Sequence, residues 1–194
     1  VMLTEIIISG FGGQGVLFAG KCLAYGAMMK NIEISWLPSY GPEMRGGTAN
    51  CSVCLSDKPI GSPLVTEPDI LIAMNEPSVD RFIGSVKSGG ILIYDSGMTD
   101  KEILRQDITV FAVPAAKLAD ENNLGGMGNI VLLGKALREC AQKLFGIDEK
   151  TLSEAFAKLI PAKKAELAEK NASALRLGMA GGQEKTDFRP PFFI

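Results

Sequence analysis

Short unbroken apolar runs alternate with stretches of helical period along the first two thirds of the chain. TEIIIS, residues 4–9, reads as a short buried strand. Residues 14–30 read as a helix in which Val16, Gly20, Leu23 and Ala27 share one face. Gly20 and Ala24 are small enough to let that helix sit close to a sheet. Further strands are expected at IEISWLP (32–38), TANCSVCL (48–55), DILIAM (69–74), ILIYD (91–95) and ITVFAV (108–113). Asn75 can cap a helix with Pro77 in its first turn, running to about SGG at 88–90. Beyond residue 113 the pattern turns helical. Pro114 opens a helix to about residue 122, and LGGMG at 124–128 interrupts it. A long amphipathic helix capped by Asn129 follows over 129–145, then two more near 149–159 and 162–178, separated by Pro161.

Continuous apolar strands alternating with helices belong to a parallel sheet covered on both faces. The expected fold is α/β, with a mainly parallel Rossmann-like sheet, helices on both faces and additional C-terminal helices. The chain has 194 residues and no internal repeat, so one domain is expected over 1–180, with a loose tail at 181–194.

Composition narrows the chemistry. The net charge is −2, which gives no electrostatic reason to expect nucleic acid. The longest charge-free run, 6–20, is rich in glycine and too short for a membrane span, and there is no basic-then-apolar leader. The expected location is cytoplasmic. The chain has no histidine, which removes imidazole acid–base catalysis and His-based metal sites. Of the four cysteines, Cys51 and Cys54 form a C-x-x-C on an expected strand, where positions three apart face opposite ways. Cys22 and Cys140 fall in apolar helical patterns. Buried, reduced thiols and no metal in this chain are expected. The five acidic and five basic side chains within 148–170 read as solvated helix faces.

GFGGQG, residues 10–15, fits G-x-G-x-x-G between a strand and a helix. Glycines there allow a tight turn and close backbone approach, and the helix that follows points N–H groups and its positive dipole end at an anion. The alternative is that the glycines serve helix–sheet packing alone. A dinucleotide site needs an acidic residue at the far end of the second strand. Glu33 lies at the near end, and Leu37-Pro38-Ser39-Tyr40 at the far end carries no acid. A phosphate-binding loop of the GKS or GKT type is missing as well. The second strand instead leads into SYGPEMRGG, 39–47, where Arg45 beside Gly46 and Gly47 offers a guanidinium fork and backbone donors. The two glycine loops should meet at the carboxyl ends of neighbouring strands, the ligand edge of open α/β sheets.

GFGGQG, SYGPEMRGG, TEPDILIAMNEP, GGILIYDSG and GNIVLLGKAL, in that order, resemble the gamma subunit of 2-oxoacid:ferredoxin oxidoreductases over roughly residues 3–178. The resemblance implies oxidative decarboxylation of a 2-oxoacid to an acyl-coenzyme A, with electrons passed to ferredoxin. It implies alpha and beta partner subunits, and a ferredoxin-like delta subunit in some versions. Those partners would hold the thiamine diphosphate, its Mg and the [4Fe–4S] clusters. This chain would hold no cofactor, have no catalytic residue of its own and be inactive in isolation. The residues carried over as candidate cofactor-binding positions are Gly10, Gly12, Gly13, Gln14, Gly15, Glu43, Arg45, Gly46, Gly47 and Asn129. They either touch coenzyme A or only partner subunits. Family members commonly lack the Cys51–Cys54 pair. Trp36, Met44 and Phe192 are candidate interface residues, with Trp36 equally suited to a core. Among substrates, 2-oxoglutarate is favoured. The alternatives are a stand-alone Rossmann-type nucleotide-binding enzyme and a pure scaffold subunit.

Overall fold

The computed structural model describes residues 2–40, 48–99 and 102–181. Glu43, Met44, Arg45, Gly46, Gly47, Phe192 and the expected tail from 182 onward lie outside the described residues. The strands are β1 (Leu3–Phe11), β2 (Glu33–Tyr40), β3 (Thr48–Ser56), β4 (Ile70–Ala73), β5 (Ile91–Asp95) and β6 (Thr109–Val113). The helices are α1 (Val16–Met29), α2 (Glu76–Phe82), α3 (Ala115–Glu121), α4 (Gly128–Glu139), α5 (Glu149–Leu159) and α6 (Ala165–Ala180).

One sheet holds all six strands in the order β2-β3-β1-β4-β5-β6. The pairings β1–β4, β4–β5 and β5–β6 are parallel, so the sheet is mainly parallel. β3 runs antiparallel to both β1 and β2. The seven residues between β2 and β3 are too few for a parallel crossover, which needs a dozen or more, so the chain turns straight back. β3 therefore separates β1 from β2, and the expectation that the two glycine loops leave adjacent strands is corrected.

The two sheet faces are covered unequally. Ile6, Ile8, Cys51, Val53, Leu55, Ile70, Ile72 and Ile93 enter the larger core, closed by apolar residues of α1, α3, α4, α5 and α6. Ile7, Cys54, Leu71, Ala73, Leu92 and Val110 enter a smaller one, closed by Val79 of α2, Val65, Val86 and Ile108. Cys51 and Cys54 thus face opposite ways, as strand alternation requires. All four cysteines are buried free thiols. Burial pushes the Cys51 thiol up to about 12 and the Cys54 thiol up to about 11. Trp36 is half-buried and packs on the larger core. Its indole Nε1 is shielded from solvent without a hydrogen-bond partner.

Two elements differ from the sequence reading: α2 stops at Phe82 rather than near 88–90, and α4 differs at both ends. α4 begins at Gly128 with Met127 as its flanking residue, so Asn129 lies inside the helix and does not cap it. The helix also stops at Glu139 rather than 145. Left-handed Phe145 and Gly146 turn the chain, while Leu144 and Ile147 stay in the same core and mimic a continuing helical period.

Candidate functional site

Register puts the roots of both glycine loops in one row. Gly10 of β1 pairs with Ala49 of β3, and Ala49 pairs with Tyr40 of β2. Adjacent strands lie ~4.8 Å apart, so Gly10 and Tyr40 are about 10 Å apart on the same edge. Glu33 pairs with Ser56 at the opposite edge, away from any ribose position.

The glycines of GFGGQG have separate reasons to be glycine. Gly10 is a packing position: a Cβ would press on Gln14 Oε1, Val16 Cγ2 and Met74 Cβ. Gly13 is a turn position, with φ +97° and open space where a Cβ would stand. Gly15 is both. Its φ is +74°, and a Cβ would overlap the Asn129 amide. Gly12 is partly exposed in the turn. The first intrahelical bond of α1 is Ala19 N–H to Gly15 O at 3.0 Å. The N–H groups of Val16, Leu17 and Phe18 therefore precede the helical ladder at this edge. With the dipole of a 14-residue helix behind them, they suit an anion such as a phosphate.

Gln14 and Asn129 shape the loop from behind. Gln14 Oε1 accepts from Phe11 N–H (2.7 Å) and Asn75 Nδ2 (3.0 Å), while its Nε2 donates to Met74 O (3.3 Å). Asn129, buried at the start of α4, donates from Nδ2 to Gly15 O at 3.1 Å. The starts of α1 and α4 are thereby joined across 114 residues of sequence.

Asp95, at the carboxyl end of β5, was not among the sequence candidates. It accepts from Gly97 N–H (2.9 Å), Ala115 N–H (3.1 Å) and Ala116 N–H (2.9 Å), and so caps α3 from a distance. Burial raises its carboxyl above the usual range, against the pull of those three donors. Its only sequence signal is an acidic residue ending an apolar strand. Its saturated bonds make it a fastening for α3, not a free acid or base. Among the described residues no group of three or more His, Cys, Asp or Glu stands together to hold a metal ion. No described helix is long and apolar enough to cross a membrane. A shallow groove of about 750 Å³ between α5 and α6 is lined by Asp148, Glu149 and Arg176 among others, and includes none of the loop residues.

The family model described as pyruvate ferredoxin/flavodoxin oxidoreductase matches residues 5–181. Ketoisovalerate oxidoreductase subunit VorA of Methanothermobacter marburgensis is 41% identical over 151 residues, 78% of this chain and 31% of that relative. The chain spans about a third of the length of the VorA relatives it matches. 2-Oxoglutarate synthase subunit KorC of Methanocaldococcus jannaschii is 37% identical over 140 residues, 71% of this chain and 75% of that relative. The crystal structure of a keto/oxoacid ferredoxin oxidoreductase gamma subunit from Geobacter sulfurreducens superposes with TM-score 0.78 at 26% identity, covering 94% of this chain and all of that one. The chain belongs to the pyruvate ferredoxin/flavodoxin oxidoreductase family, in its gamma-subunit branch.

Proposed function

We propose that this chain is the gamma unit of a multi-subunit enzyme that oxidatively decarboxylates a 2-oxoacid to its acyl-coenzyme A and passes the electrons to ferredoxin. The carrying observation is the Gly10–Ala49–Tyr40 row, which roots GFGGQG and the Arg45-bearing segment on one sheet edge. In this reading thiamine diphosphate supplies the carbanion chemistry and iron–sulfur clusters the electron path, both held by alpha, beta and ferredoxin-like partner subunits. The described residues fit that division, because the cysteines are dispersed and buried rather than gathered as cluster ligands.

This chain's contribution is binding and positioning. The α1 N–H groups receive a phosphate of coenzyme A, held at the edge by the turn at Gly13 and Gly15. Arg45, with Gly46 and Gly47 beside it, adds a guanidinium fork to the same anion, and Glu43 belongs to that segment. The buried Asn129 keeps the α1 start in place. Alone, the chain has no turnover. The substrate is a branched-chain 2-oxoacid or 2-oxoglutarate: relatives carry both names, at 41% and 37% identity, and both acids are to be assayed.

Arg45→Ala tests the reading in the assembled enzyme. Removing a charge-assisted contact should lower turnover on the order of 10–100-fold while the subunits still assemble. Unchanged turnover rejects the anion contact. Lost assembly with normal residual turnover per complex favours the scaffold reading.

A further inference from the structure

The back of the glycine loop is joined to the start of β3 by buried polar groups that neither the helix ladders nor the sheet requires. Asn75, 1% exposed, works in two directions. Its Oδ1 accepts from Ser78 N–H at 3.0 Å and caps α2. Its Nδ2 donates to Gln14 Oε1 at 3.0 Å, inside GFGGQG. Ser78, fully buried on α2, has its hydroxyl oxygen 2.9 Å from the hydroxyl of Ser9, also fully buried. The Ser9 oxygen is also 3.4 Å from Ala49 O, so the Ser9 hydrogen serves one of these two acceptors. Outside the core, Arg81 of α2 donates to Thr48 Oγ1 at 3.2 Å. The short α2 therefore touches the glycine turn at its first residues and the start of β3 one turn later.

We propose that Gln14, Asn75, Ser78 and Ser9 are positioning residues that couple the GFGGQG turn to the start of β3, with α2 as the element between them. Capping α2 needs only the Asn75 oxygen. The nitrogen serves the coupling, and so does a serine pair buried where apolar side chains would otherwise pack. Low local dielectric makes such a linked set stiff, because each unmade bond leaves a buried polar group unsatisfied. When one side is ordered by a ligand, the other is ordered with it. Its role in turnover rests on the function proposed above, whereas the coupling itself does not.

Asn75→Asp separates the two jobs. The carboxylate still accepts from Ser78 N–H and keeps the cap, but it faces Gln14 Oε1 without a hydrogen to offer. Hydrogen–deuterium exchange of the full chain reads the result. The 48–52 amides should exchange about fivefold faster together with those at 10–18, the effect of losing one net hydrogen bond, while α6 is unchanged. Ser78→Ala cuts the same link between α2 and Ser9, keeps the Ser78 N–H bond to Asn75 and the Asn75–Gln14 bond, and should speed exchange at 10–18 and 48–52 together. It carries the test if Asn75→Asp does not fold. In the assembled enzyme Asn75→Asp should raise KM for coenzyme A about fivefold with kcat within twofold. Faster exchange confined to the mutated side overturns the coupling. Unchanged KM in an active complex overturns the positioning role. If the complex turns over equally well without this chain, the proposed function falls, and the exchange experiment still judges the coupling.

Discussion

The α4–α6 crossing and the loop before α1 both depend on glycine, for opposite reasons. At the crossing, a Cβ on Gly178 would overlap Val131 O, and one on Gly134 would overlap Leu175 O. Two helix backbones touch there with no side chain between them. Both glycines lie within regular helix, and neither has a left-handed backbone. In the loop, Gly13 has open space around it and a left-handed backbone. Gly15 combines the two demands. A glycine that faces a neighbouring backbone serves packing. One that bends the chain into open space at a sheet edge leaves room for something else to approach. The contrast answers the alternative that GFGGQG is a packing device: Gly10 is, Gly13 is not.

Substitution by alanine grades the comparison. Gly178→Ala should do most damage, because α6 must move off α4. Overpacking of this kind costs about 3 kcal/mol, or ~6–12 °C in Tm for a chain of this size, read by thermal melting. Gly15→Ala comes next, at about 1–2 kcal/mol for the left-handed backbone and the displaced Asn129, with α1 losing its fixed start. Gly13→Ala should cost only about 1 kcal/mol and leave Tm nearly in place, yet lower turnover of the assembled enzyme. A Gly13→Ala chain with full activity would erase the distinction between the two regions.

The smallest effect lies at the N-terminus of α5. Asp148 caps α5, accepting from Thr151 N–H at 2.9 Å and its hydroxyl at 2.6 Å. Those bonds hold its carboxyl below the usual range. Because the folded value is depressed, the stabilisation is present above the unfolded value near ~3.9 and is lost as pH falls through the folded one. Asp148→Ala should therefore cost about 1 kcal/mol at neutral pH, and the gap to wild type should close as melts are taken below about pH 4. A gap that persists there would mean Asp148 acts through packing.

What was legible in the sequence follows the range of the forces involved. β5 is ILIYD in both readings, and α5 matches its expected span, because an apolar run or a capped amphipathic period is a local signal. Glu33 was placed at the wrong end for ribose from sequence spacing, and the register agrees. The direction of β3 was legible only in its short connection to β2, since a strand buried on both faces carries the same apolar pattern either way round. Asn129 looked like a cap because an Asn before an apolar run usually is one. Its partner, Gly15 O, lies 114 residues away and leaves no local trace. Ser9 and Ser78 were silent for the same reason. The glycine spacing gave the loop, and only the fold revealed the polar groups behind it.

The most direct test of the account is recovery of the chain from its native host under conditions that keep complexes intact. A tagged copy should bring down a thiamine-diphosphate subunit and an iron–sulfur subunit in equal amounts, and the eluate should reduce ferredoxin with a 2-oxoacid and coenzyme A. A chain that elutes alone, or only with copies of itself, and gives no such activity would contradict the assignment.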